Sequence, residues 1–235
     1  MSRFQKQNNL PSIVPKNYLF ILLITLFVIP LLWGLGIFRV PVSSIFPDLQ
    51  RPHFWTFFSS ILILEWIAFL LIYRVTSSNM SVYLNINTAF LRKKRYLLII
   101  SFIVICILSY FAPLYLYESI PSESVVLGRI GPVSNLERLA FVFLSLTAGI
   151  CEEVIFRGYG ISVLEKVFKN KLLPLVITSG AFMALHGIAF LPWFLLVQYF
   201  IVGMIFGYFF QKYRRLEILI IVHFLIDAIV AISVP

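Results

Sequence analysis

The sequence predicts an all-α, polytopic membrane bundle, and three observations carry that prediction. Of its 235 residues 60% are hydrophobic and only 12% are charged, a balance far from that of a soluble domain. Seven apolar stretches approach the roughly 20 residues that a membrane-crossing helix needs. The lysines and arginines behind the net charge of +9 gather in alternate connections between those stretches, the pattern that orients polytopic proteins.

Taken in order, the first stretch covers residues 18–38 and lacks the small-residue cleavage site of a secretion signal, so it is expected to remain as a span. The second, 54–73, carries Glu65 at its middle beside Trp66. A carboxylate there lines the cavity, pairs within the bundle, or marks a bend in the span. The third is 96–116. The fourth is 136–156, but Gly158 to Phe168 stays compatible with helix. A helix continuous to Phe168 would be about 50 Å long at about 1.5 Å per residue, against a hydrocarbon core of about 30 Å. A bend near Gly158 and Gly160, or a final stretch in the interface, is the expected accommodation. The fifth, 172–186, is short, and the tight turn at 187–190 predicts an antiparallel hairpin with the sixth, 191–210. The sixth carries Gly203-x-x-x-Gly207, a spacing that lets helices approach closely, here within the chain. The seventh is 216–234. We divide the chain into N-terminal helices, 1–135, and a helix core, 136–235, within one membrane domain.

The cations sort the connections into two sets. Arg3, Lys6, Lys16, Arg74, the run Arg92 to Arg95, Arg157, Lys166, Lys169, Lys171, Lys212, Arg214 and Arg215 fall on one side, and Arg39, Arg51, Arg129 and Arg138 on the other. This places the N-terminus in the cytoplasm and the C-terminus outside, with a bacterial cell membrane as the expected location. The charge is thus a topology signal and not a nucleic-acid footprint. The run Arg92 to Arg95 suits anionic lipid headgroups. Cys106 and Cys151 sit in apolar stretches without metal-ligand spacing and read as small hydrophobes. His53 lies near a span end and reads as solvated.

Against this apolar background the polar residues stand out. Glu152, Glu153 and Arg157 lie in the fourth stretch, His186 ends the fifth, and His223 and Asp227 lie in the seventh. A charge at the centre of a membrane helix costs roughly 3 kcal/mol on insertion scales, so each needs a partner or a task. Counting from the flanking cations, Glu152 lies roughly 21 Å of helix from Lys166, and His186 roughly 22 Å from Lys171. His223 and Asp227 lie roughly 12 and 18 Å from Arg215 by the same rise. Three helices therefore bring polar groups to compatible depths. Glu153 and Arg157 are spaced i to i+4 and can neutralise each other. Glu152 is turned about 100° away and is the carboxylate left over. Phe182 and His186 share a helix face, as do His223 and Asp227, where the aspartate can orient the imidazole or hold its charge.

The three patterns Glu152-Glu153-x-x-x-Arg157, Phe182-x-x-x-His186 and His223-x-x-x-Asp227 resemble, in order and spacing, the motifs of the CAAX protease and bacteriocin-processing family of intramembrane proteases (CPBP, or Abi). The surrounding words Glu-Glu-Val-Ile-Phe-Arg-Gly-Tyr and Phe-Met-Ala-Leu-His-Gly are also of this kind. The resemblance implies an endopeptidase related to type II CAAX prenyl endopeptidases, acting on a membrane-associated protein or peptide from a polar cavity among helices. It implies that Glu152 and His186 activate water, that His223 and Asp227 stabilise the oxyanion, and that Glu153, Arg157 and Phe182 support them. Peptide hydrolysis needs a base, an acid for the leaving amine and donors for the oxyanion, and these residues can supply all three.

Asparagine is commoner than aspartate at the last motif position in the prenyl-protein enzymes. An ionised aspartate donates no hydrogen bond, so Asp227 acts either protonated or through His223. No cofactor is required on this reading, although Glu152, His186 and His223 also form a donor set that zinc accepts. The competing function classes are bacteriocin self-immunity or regulation by binding a membrane partner, and a transporter, which the absence of an evident inverted repeat disfavours.

Overall fold

The computed structural model describes residues 14–47, 49–77, 132–189 and 191–233, and among these no strand occurs. The described residues form seven helices. They are α1 (Lys16–Gly34), α2 (Val42–Ile45), α3 (Pro52–Thr76), α4 (Asn135–Val167), α5 (Leu172–Leu185), α6 (Trp193–Tyr213) and α7 (Leu216–Ser233). Of these, α1, α3, α4 and α6 are long and apolar enough to cross a membrane, so the chain is an integral membrane protein. Six of the expected spans coincide with helices, and the third, 96–116, lies outside the described residues together with Cys106 and the run Arg92 to Arg95. The short α2 was not anticipated: it is a single turn entered from Pro41.

Two helices leave the α register. In α1 a π segment, Ile24–Val28, directly precedes Pro30. Proline lacks the N–H that would continue the ladder and its ring crowds the carbonyl four residues back, so the turn before it widens. In α4 the π segment is Glu153–Ile161. It covers Gly158 and Gly160, where a bend was expected, and the helix runs on to Val167 as one piece. Every residue from Cys151 to Ile161 is buried. The charged turn of α4 is therefore enclosed by protein on all sides and not exposed to lipid, which is the condition for its charges to persist.

Small residues set the closest helix approaches. A side chain on Gly34 would stand 2.0 Å from the Ala184 carbonyl oxygen, and the Ala189 N–H donates to the Gly34 carbonyl at 3.1 Å, so the end of α1 is clamped on the end of α5. A Cβ on Gly149 would meet the Ile220 carbonyl oxygen at 3.1 Å, drawing α4 against α7. Gly203 abuts Ser179 and Gly207 abuts Leu175, so the Gly-x-x-x-Gly pair serves the α5–α6 hairpin inside the chain. The hairpin turn passes through Gly187 at φ 112°, which a residue with a Cβ adopts only under strain.

Polar contacts define the two ends of the bundle. At one end the Tyr18 hydroxyl donates to the Val75 carbonyl at 2.7 Å, the Tyr159 hydroxyl to the Tyr18 carbonyl at 2.7 Å, and Gln211 Nε2 to the Lys171 carbonyl at 2.9 Å. Arg214 pairs there with Glu165, and Arg215 with Glu217. Lys16, Arg74 and Lys166 thus lie towards this end with the α5–α6–α7 cations. At the other end Ser134 and Glu137 form a reciprocal capping box at the start of α4. Glu137 also accepts from Arg51 at 2.5 Å, tying α4 to the start of α3. Arg157 belongs to neither end. The sequence reading counted it among the connection cations, whereas its side chain is 1% exposed and enclosed by the bundle. His53 is exposed at the start of α3.

Candidate active site

The π segment of α4 begins at Glu153 and carries Arg157 one turn on. Arg157 Nη1 donates to Glu153 Oε1 at 2.9 Å, forming the expected pair, with the two side chains 1% and 0% exposed. The guanidinium lies 4.3 Å from the Phe182 ring centre and 5.2 Å from that of Phe206. Aromatic faces attract cations, the more so when water is absent. This buried charge is therefore held by a carboxylate and by two rings from α5 and α6.

Glu153 has a second partner that its spacing did not reveal. The same Oε1 lies 2.8 Å from His223 Nδ1 on α7. A carboxylate oxygen accepts, so Nδ1 carries the hydrogen and Nε2 is the ring atom left for chemistry. His223 Nε2 stands 3.9 Å from Glu152 Oε2 and 3.4 Å from Asp227 Oδ2. Orientation of this imidazole thus comes from Glu153 at Nδ1, with Asp227 flanking the opposite nitrogen.

His186 follows the last residue of α5. Its Nδ1 lies 2.8 Å from the Phe182 carbonyl, which can only accept, so this hydrogen bond leaves Nε2 as the ring's acceptor. The ring stacks on Tyr199 at 3.9 Å and leans on Phe182 at 4.4 Å. Phe182 accordingly does three things: its carbonyl sets the His186 tautomer, its ring packs on that imidazole, and its face receives Arg157. His186 lies within electrostatic reach of Glu152, His223 and Asp227.

A pocket of about 20 Å³ is lined by His186, His223 and Asp227 together with Phe182, Gln198, Tyr199, Val202, Phe206 and Ile226. That is room for about one water. His223 is 5% exposed, whereas Asp227 retains 29% exposure of its side chain, so the pocket has a closed floor and a more accessible rim. Among the described residues no three His, Cys, Asp or Glu side chains converge closely enough to hold a metal ion. Glu152, His186 and His223 interact electrostatically with one another.

Sequence reasoning missed two contributors and left a third, Glu65, with several readings open. Tyr199 and Gln198 on α6 line the pocket, and nothing in their local sequence distinguishes them from other residues of an apolar helix. Glu65 on α3 is 2% exposed and interacts electrostatically with Glu152, His223 and Asp227. Its signal was present, since a carboxylate at mid-span is a functional lead by itself.

The architecture is that of a helical membrane protein with a buried acid–base cluster at its centre. Residues 134–229 match the family described as type II CAAX prenyl endopeptidase Rce1-like. The chain therefore carries a domain of this protease family, and the match spans all three motifs. Compared with curated proteins and with solved structures, the chain finds no significant match.

Proposed function

We propose that the chain is an intramembrane endopeptidase that hydrolyses a peptide bond of a membrane-associated protein or peptide, with Glu152 and His186 activating water and His223 with Asp227 stabilising the oxyanion. The observation that carries the reading is the convergence on His223. Its Nδ1 is held by Glu153, and its Nε2 faces Glu152 and Asp227 at a pocket that His186 also lines.

In this mechanism Glu152 takes a proton from water while His186 Nε2 accepts the water's other hydrogen and aligns it. The resulting hydroxide adds to the substrate carbonyl carbon. Developing negative charge on the carbonyl oxygen is met by His223, whose charge and orientation Glu153 and Asp227 maintain. The C–N bond then breaks, and the proton held by Glu152 passes to the leaving amine. No cofactor is needed in this scheme. Glu153 and Arg157 stay outside the proton transfers, because that carboxylate is already engaged by two donors.

The end of the bundle that gathers Lys16, Arg74, Lys166, Lys212, Arg214 and Arg215 is assigned to the cytoplasm, with the C-terminus outside, in a bacterial cell membrane. Membrane lipid and a peptide or membrane-protein substrate are the partners.

The test compares membrane proteomes of cells producing the wild type and Glu152→Gln, reading new N-termini. Cleavage products are expected with the wild type and not with Glu152→Gln, His186→Ala or His223→Ala, each present at normal abundance. Full activity in Glu152→Gln would sink the protease reading and favour immunity or regulation by binding.

A further inference from the structure

Glu65 remains unexplained by the mechanism. It lies on the inward face of α3, near Leu64, Ala68 and Ile72, all buried, whereas the adjoining Trp66 points outward and is 36% exposed. Its carboxyl and that of Glu152 interact, by charge and as hydrogen-bonding groups. Yet neither Glu65 oxygen has a donor, and Glu152 Oε2 has none either. The ionisable groups facing this pair are Cys151 on α4, His186 after α5, whose Nδ1 is engaged with the Phe182 carbonyl, and His223 and Asp227 on α7. His223 does not complete the pair, since its Nδ1 is engaged with Glu153 and its Nε2 is 3.9 Å from Glu152. Buried polar atoms are nearly always hydrogen-bonded, and two ionised carboxylates in contact away from water repel too strongly to coexist. One proton between them removes both difficulties.

We infer that Glu65 is a positioning residue for Glu152: as a carboxylic acid it donates a hydrogen bond to the Glu152 carboxylate and fixes the rotamer from which that carboxylate meets water. The inference rests on the reading of Glu152 as the base. Glu65 touches neither substrate nor water, and its proton stays with the pair. The proton taken from water is a different one, received by Glu152 and released to the amine. Through this contact an N-terminal helix outside residues 134–229 completes the site.

Two measurements on the purified full-length chain in detergent test this. The infrared difference between wild type and Glu65→Gln is expected to show a protonated-carboxyl C=O stretch in the wild type that the variant lacks. No such band would overturn the inference. The second measurement is cleavage of a quenched fluorogenic farnesyl-cysteine CAAX peptide. Glu65→Leu is expected to lower kcat by about 10- to 100-fold with KM nearly unchanged, the cost of a misaimed catalytic group. Glu65→Gln keeps a donor and is expected to restore most of kcat. Wild-type kcat in Glu65→Leu would also overturn it, and should that variant fail to fold, the infrared result on Glu65→Gln decides. A missing band beside an inert Glu152→Gln removes Glu65 alone, whereas full activity in Glu152→Gln removes the base and the positioning role together.

Discussion

Replacing Arg157 by alanine is the sharpest stability test, because the structure states what the guanidinium does. It donates to Glu153 Oε1 at 2.9 Å with both side chains essentially unexposed, and it lies against Phe182 and Phe206. Breaking a buried pair from one side costs about 3–5 kcal/mol, because the surviving charge is left without compensation. Loss of the ring contacts adds up to about 2 kcal/mol where the cation is desolvated. Two effects pull the other way: Glu153 retains His223 Nδ1 at 2.8 Å, and a stranded carboxylate can take up a proton. A net loss of about 3 kcal/mol is therefore expected, a large part of the 5–15 kcal/mol typical of folded proteins. Thermal unfolding in detergent and the yield from membranes measure it. The control is Glu153→Gln/Arg157→Met, which removes both charges at similar volume and is expected to recover most of the loss, since a buried pair is worth less than half of it is costly. Normal yield and unchanged thermal stability in Arg157→Ala would refute the ion-pair argument, and an equally unstable double variant would show that packing, not charge, was responsible.

Two further outcomes follow from the packing. Gly34→Ala is expected to destabilise by about 1–3 kcal/mol, since overpacking forces backbone apart and the added methyl would stand 2.0 Å from the Ala184 carbonyl oxygen; the same thermal melt reads it, and a wild-type melt would show that α1 is not clamped on α5. Ser134→Ala is expected to cost about 1 kcal/mol through loss of the α4 cap, whose hydroxyl accepts from the Glu137 N–H at 3.2 Å, while catalysis by the distant centre is unaffected; a large loss of activity would place the cap nearer the chemistry than the fold does.

Much of the candidate site was legible because its motifs are local. Glu153 and Arg157, Phe182 and His186, and His223 and Asp227 are each four residues apart, and a helix turns that spacing into contact whatever surrounds it. The depth of each motif followed from rise per residue and the flanking cations. The capping box was equally readable in Ser134-x-x-Glu137 before an apolar run, although the sequence reading passed over it. What could not be read is everything that depends on which helix lies beside which. The Glu153–His223 contact joins residues 70 positions apart, and Glu65 reaches Glu152 only because α3 packs against α4. Arg157 was misassigned to a connection for the same reason: hydropathy along the chain does not show that neighbouring helices seal the second half of α4.

Composition, span length and charge placement determined by themselves that this is a helical membrane protein, and the three spaced motifs singled out the candidate site residues. Both rest on local physics, the cost of polar groups in lipid and the pitch of a helix. Only the tertiary structure decided which of those residues meet. It gave Glu153 to both Arg157 and His223, left Glu152 Oε2 without a protein donor, and brought Glu65 from outside the motif-bearing core to interact with Glu152. Such pairings depend on distances between helices, which packing of whole surfaces sets and no local pattern encodes.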